Sequence, residues 1–150
     1  MRQFSLTIAA VISTVLCFSQ VKQPAKWNFT TKKINATTYE IHLTANLEGG
    51  WHIYSQTTPD GGPVATKIKF TANPLITMEG AATEVGKLEK KHEAIFGVDV
   101  KQFSNKVDFV QVVKLKGKVK TNITGSIDYM TCNDRECLPP TNQKFSIAIQ

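Results

Sequence analysis

The chain has 150 residues, within the ~100–200 typical of one domain, so its size excludes a large multidomain enzyme. A hydrophobic fraction of 41%, with 9% aromatic and 20% charged residues, supplies one packed core and excludes a disordered tail. The net charge of +6 comes from lysines scattered along the chain rather than massed in one block, which argues against nucleic-acid binding.

In chain order, Arg2 gives a positive start, Leu6 to Phe18 is almost unbroken apolar sequence, and the run ends at the small residue Ser19. That is the layout of a secretory signal peptide, and at about 13 residues the run falls short of the ~20 that span a bilayer. The expected division is a signal peptide over 1–19, cleaved after Ser19, and a mature domain over 20–150. The mature domain is expected to be exported, periplasmic and not stably inserted in a membrane. Leu16 precedes Cys17, where a lipid-anchoring site needs a small residue. Removing the signal takes the three cysteines to two, Cys132 and Cys137, and an even pair in an exported protein points to a disulfide.

The mature chain has the periodicity of strands. Tyr39, Ile41, Leu43, Ala45 and Leu47 alternate with Glu40, His42, Thr44, Asn46 and Glu48, giving one apolar and one wet face. Ile68 and Phe70 alternate with Lys67 and Lys69, and Phe145, Ile147 and Ile149 alternate with Ser146 and Ala148. Val107 to Leu115 is nearly continuous and β-branched, as in a strand covered on both faces. Ile123, Ile127 and Tyr129 form a further strand that leads into the cysteines. Glu84 to Ile95 fits a helical turn, an exposed loop or a hairpin.

Turn residues break these strands at Gly49-Gly50, Pro59-Asp60-Gly61-Gly62-Pro63, Asn73-Pro74, Gly80, Gly97 and Gly117. Short strands at this spacing predict an all-β fold, an antiparallel sandwich. Lys114, Lys116, Lys118 and Lys120 on alternate positions read as the solvated face of a hairpin.

The chemistry concentrates in Tyr129-Met130-Thr131-Cys132-Asn133-Asp134-Arg135-Glu136-Cys137-Leu138-Pro139-Pro140. Four residues separate the cysteines, so a bridge closes a ring too small to stabilise by more than ~2 kcal/mol through chain entropy. A disulfide in a tight, polar, exposed loop is open to attack by another thiolate, which favours exchange chemistry. A local bridge that merely pins a loop is the competing reading.

The thioredoxin-type C-x-x-C is excluded by the spacing and by Pro139-Pro140, which obstruct a following helix. Metal binding would draw on the cysteines, His42, His52, His92 and Met130 for zinc or copper, but no ligand spacing selects it. No metal is therefore expected. No flavin or nicotinamide motif is present, so no cofactor is expected and reducing equivalents must come from outside.

Leu47-Glu48-Gly49-Gly50-Trp51-His52-Ile53-Tyr54-Ser55, Gly62-Pro63, Glu93-Ala94-Ile95-Phe96-Gly97, and Cys132 to Pro140 followed by Phe145-Ser146-Ile147 occur in that order. In this order they resemble the N-terminal periplasmic (alpha) domain of the thiol:disulfide interchange protein DsbD. The resemblance implies an immunoglobulin-like antiparallel β-sandwich whose cysteine pair relays reducing equivalents, a protein-disulfide reductase or interchange activity. It implies a thioredoxin-like donor domain fed by a membrane domain, and acceptors among periplasmic disulfide isomerases or cytochrome c maturation proteins. The family domain normally continues into those membrane and thioredoxin-like domains, whereas this sequence stops at Gln150, so donor and acceptor are expected to act in trans.

By the same resemblance Cys137 forms the mixed disulfide and Cys132 resolves it. Glu93 to Gly97 match a cap loop, and His52 and Tyr54 match aromatic positions lining the site. The best-known members have one more residue between the cysteines. A gapless match puts Ile95 where an aromatic cap residue is usual, with Phe96 the rival for that role. The alternative function is a non-enzymatic sandwich module, for binding or accessory use, whose bridge only holds a loop.

Overall fold

A computed structural model describes residues 22–150, and these form nine strands and no helix. The signal peptide and its cleavage point after Ser19 lie outside the described residues. No helix among the described residues is long and apolar enough to cross a membrane.

The strands are β1 (Ala25–Lys33), β2 (Thr38–Leu47), β3 (His52–Tyr54), β4 (Lys67–Phe70), β5 (Ile76–Glu93), β6 (Val98–Leu115), β7 (Thr121–Tyr129), β8 (Thr131–Cys132) and β9 (Thr141–Ile149). A six-stranded sheet runs β1-β2-β6-β3-β8 with β5 also on β6, and a three-stranded sheet runs β4-β7-β9. Every pairing is antiparallel.

The alternation read in β2 places Tyr39, Ile41, Leu43 and Ala45 in the core beside Val107, Phe109, Val113 and Leu115 of β6. Ile123, Ile127 and Tyr129 of β7 and Phe145, Ile147 and Ile149 of β9 complete the same cluster from the small sheet. This is the two-layer solution to burying one face of each sheet. β6 corrects the sequence reading of a strand covered on both faces. Val107, Phe109, Gln111, Val113 and Leu115 are buried, whereas Asp108, Val110 and Val112 are half-buried. A second sheet lies against one face only, and the β-branched residues on the other face serve cross-strand packing in a strand paired on both edges.

Glu84 to Ile95 is a hairpin arm and its tip: β5 runs antiparallel to β6 from Ile76 to Glu93, and no helical turn forms. Between the pairs Gly86↔Val107 and Leu88↔Phe103 the register slips. Asn105 there has a positive φ of 65°, as in a bulge that bends the strand and re-aims the hairpin tip. Lys114, Lys116, Lys118 and Lys120 are exposed around the turn where the chain leaves the large sheet for the small one.

Candidate functional site

The strand period puts the cysteine site and the main core on opposite faces of the large sheet. In β3, Ile53 faces the core while its neighbours His52 and Tyr54 face away. β8 pairs with β3 so that His52 lies opposite Cys132, which places Cys132 on that outer face too. There Tyr54, Val100 and Cys132 form a second buried cluster, against which Phe96, Val98, Met130 and Cys137 pack.

Cys132 and Cys137 are joined as a disulfide with their Cα atoms 4.0 Å apart. The loop between them is a tight turn built by Asn133. Its backbone N–H donates to the Glu136 carbonyl at 2.9 Å. Its side-chain oxygen accepts from the N–H groups of Arg135 and Glu136, at 2.8 and 2.9 Å. The Leu138 N–H donates to the Thr131 carbonyl, closing the neck before Pro139-Pro140.

The loop is exposed at Asp134 and Arg135, as the sequence reading has it, but the bridge beneath it is not open. Cys132 is fully buried at 0% exposure and Cys137 is half-buried, because the loop folds down on the outer face of β3 instead of projecting from it. The two sulfurs are therefore inequivalent, and an attacking group meets Cys137 first.

Glu93, Ala94, Ile95, Phe96 and Gly97 form the tip of the β5–β6 hairpin. The Phe96 and Gly97 N–H groups both donate to the Glu93 carbonyl, and Gly97 sits at φ 67°, the left-handed region that glycine enters without strain. Phe96 packs on the cysteine cluster, whereas Ile95 is 50% exposed at the tip. Between the two rivals for the cap position, geometry puts Phe96 against the pair and leaves Ile95 facing solvent. Gly62 backs this arrangement: a Cβ there would lie 2.5 Å from Val98 Cγ2 and 3.8 Å from Phe96 Cβ.

His52, Tyr54 and Glu93 are buried together beside the disulfide. The Tyr54 hydroxyl donates to Glu93 Oε2 at 3.0 Å. His52 Nε2 lies 3.1 Å from the Tyr54 oxygen and 3.3 Å from Glu93 Oε2. A carboxylate accepts only, and the phenol proton is already spent on it, so this network assigns the imidazole proton to Nε2. Burial holds the His52 pKa below its ordinary value, outweighing the charge and hydrogen bond of Glu93, which pull it up. Burial, reinforced by the Glu93 carboxylate, pushes the Tyr54 phenol well above its ordinary range.

Sequence reasoning missed a strap across the site. Lys91 Nζ donates to Asp134 Oδ1 at 2.8 Å, tying β5 just before the cap to the turn between the cysteines. That hydrogen bond raises the Lys91 pKa and lowers that of Asp134. Glu136 of the same turn pairs with Lys22, and Arg135 is exposed. The period-two pattern puts Lys91 on the Glu93 face of β5, but its partner lies 43 residues away in the chain. The histidines weighed as metal ligands lie apart: His42 pairs with Asp108 at 2.7 Å on β2–β6, and His92 with Asp99 at 2.9 Å on the hairpin. Among the described residues no three His, Cys, Asp or Glu side chains group as metal ligands.

Comparison with solved structures gives the N-terminal periplasmic domain of ScsB from Proteus mirabilis, at 20% identity and a TM-score of 0.59. That match covers 83% of this chain and 46% of the other, so the present chain spans about half the length of that relative. The N-terminal domain of Neisseria meningitidis DsbD in the reduced form matches at 13% identity and a TM-score of 0.54, covering 83% of this chain and 85% of the other. These likenesses establish the fold as an immunoglobulin-like β-sandwich. No curated protein matches the chain. The family described as thiol:disulfide interchange protein DsbD, N-terminal, matches over residues 19–149. With its sandwich, its cysteine pair and a family match over nearly its whole length, the chain belongs to the DsbD N-terminal domain family.

Proposed function

We propose that the protein is an exported thiol-disulfide exchange domain, residues 20–150 after removal of a signal peptide, that relays reducing equivalents through Cys132 and Cys137. The observation that carries this reading is the asymmetry of the disulfide: Cys137 is half-buried at the edge of the cluster while Cys132 is fully buried within it. Cys137 is the sulfur that exchanges with partners, and Cys132 resolves the mixed disulfide. Phe96 shields the pair until a partner displaces the hairpin tip, exposed Ile95 meets the partner, and His52, Tyr54 and Glu93 line the site. Partners are thioredoxin-like domains as donors, with periplasmic isomerases or cytochrome c maturation proteins as acceptors. The activity is that of a protein-disulfide reductase.

A serine at each cysteine tests this. Cys132→Ser is expected to trap a mixed disulfide through Cys137 with a thioredoxin-like protein, and Cys137→Ser to abolish transfer. A Cys132→Ser protein that captures no such partner contradicts the relay. The full burial of Cys132 favours a second reading, a binding module with a structural bridge. Its signature is undiminished partner binding by a double serine variant.

A further inference from the structure

Resolving a mixed disulfide requires Cys132 to act as a thiolate, and the structure makes that difficult. Its sulfur lies in an apolar cluster with Val100, Tyr54 and Phe96, where an uncompensated thiolate is disfavoured by desolvation. The proton on a reduced Cys132 needs an acceptor inside the site. His52 is the cross-strand partner of Cys132 on the same face of the sheet, within the ~5 Å between Cβ atoms of such pairs. Its Nε2 is directed to Glu93 and Tyr54, and no hydrogen bond engages Nδ1 among the described residues.

We propose that His52 is the general base for Cys132, and that Glu93 and Tyr54 are positioning residues that fix its tautomer and balance its charge. The proposal rests on the exchange reading above. In the mixed disulfide, Cys137 Sγ is bonded to the partner sulfur and Cys132 is a thiol. Nδ1 takes the Cys132 proton, and the thiolate electron pair forms the Cys132–Cys137 bond. The bond from Cys137 to the partner breaks, and its electron pair leaves on the partner sulfur, which is reduced as the cysteine pair is oxidised. The imidazolium, paired with the Glu93 carboxylate, then returns the proton to the departing partner thiolate.

The groups that face His52 fit this role. Tyr54 adjoins it on β3, Glu93 and Lys91 stand on β5, and Asp134 lies on the cysteine turn. Glu93 and Asp134 favour the imidazolium and Lys91 opposes it. The residue opposite on β6, Ser104, is uncharged. Burial keeps the resting ring neutral, the form a base requires.

Reduced full-length mature protein mixed with oxidised glutathione, quenched with acid and resolved by mass, separates formation of the glutathione adduct on Cys137 from its resolution by Cys132. In the wild type, the resolution rate should show an inflection that coincides with the His52 titration followed by NMR. His52→Gln should slow resolution about 100-fold near neutral pH and leave only an inflection in the thiol range. Glu93→Gln should move the wild-type inflection to lower pH, because the imidazolium loses its counter-charge.

A wild-type profile governed by a thiol-range inflection alone overturns the proposal without any variant. A folded His52→Gln protein that resolves at the wild-type rate also overturns it. Failure of wild-type protein to form a glutathione adduct or disulfide at all is a different outcome, and it removes the exchange reading together with the base.

Discussion

At Gly125, in the middle of β7, the neighbouring strands leave no room for a side chain. A Cβ there would lie 2.2 Å from the Lys69 carbonyl oxygen and 2.6 Å from Phe145 Cζ. Backbone cannot yield as a flexible side chain does, so Gly125→Ala is expected to destabilise by about 1–3 kcal/mol, read from the denaturant midpoint. His52 makes the stability of the fold depend on pH. Its pKa is depressed in the fold, mainly by burial, so folding favours the neutral ring. That contribution to stability is present above the ordinary value of 6.5 and is lost as pH falls through the lower folded value. The melting temperature of the wild type should therefore fall on acidification below this ordinary value, and the fall should be smaller in His52→Phe. An equal fall in both proteins contradicts the assignment.

The element that lies over the cysteine cluster is the β5–β6 hairpin. Its tip lays Phe96 on the cysteine cluster, and its arm is strapped to the cysteine turn by Lys91 and Asp134. Phe96→Ala should speed reduction of the disulfide by dithiothreitol, because the apolar cover is lost while the turn made by Glu93 and Gly97 remains. Asp134→Asn or Lys91→Gln should raise the same rate by a few-fold at most, since the pair is exposed and screened, and added salt should reproduce the effect in the wild type. Unchanged rates in all three variants would show that reduction does not depend on the hairpin.

The hairpin also marks where sequence pattern stops being informative. β2, β4 and β9 are legible because one face of each packs on the core and the other meets solvent, so apolar and polar residues alternate. β5 is an edge strand exposed over most of its length, with Val85 and Leu88 open to solvent, and it carries no such alternation. Trp27 and Phe29 of β1 do alternate with Lys26 and Asn28, a signal spread over too few apolar residues to stand out. The cysteines, the cap segment and the His52-Tyr54 pair were recognisable as a resemblance. Their meeting was not, because Tyr54 and Glu93 are 39 residues apart and join only through the pairings of β3 and β5 with β6.

For the whole molecule, the separation of site from core matters most. The main cluster fills the space between the sheets, and the cysteine cluster sits on the outer face of the larger one. A six-residue ring contributes only ~2 kcal/mol through the unfolded chain, so the sandwich should survive reduction. Far-ultraviolet circular dichroism is expected to be unchanged by dithiothreitol, with a melting temperature lowered by several degrees rather than a lost transition. Loss of the fold on reduction would make the bridge a structural staple. A scaffold that keeps its shape in both redox states is what a relay needs, since it must meet its donor while oxidised and its acceptor while reduced.

Whether this disulfide is exchanged is read from the reduction potential of the Cys132/Cys137 couple, measured by thiol alkylation across a series of redox buffers. An exchanging pair should have a value between roughly −270 and −120 mV, the range of proteins that pass electrons through thiols. A value well below about −300 mV, where structural disulfides resist reduction, would contradict exchange.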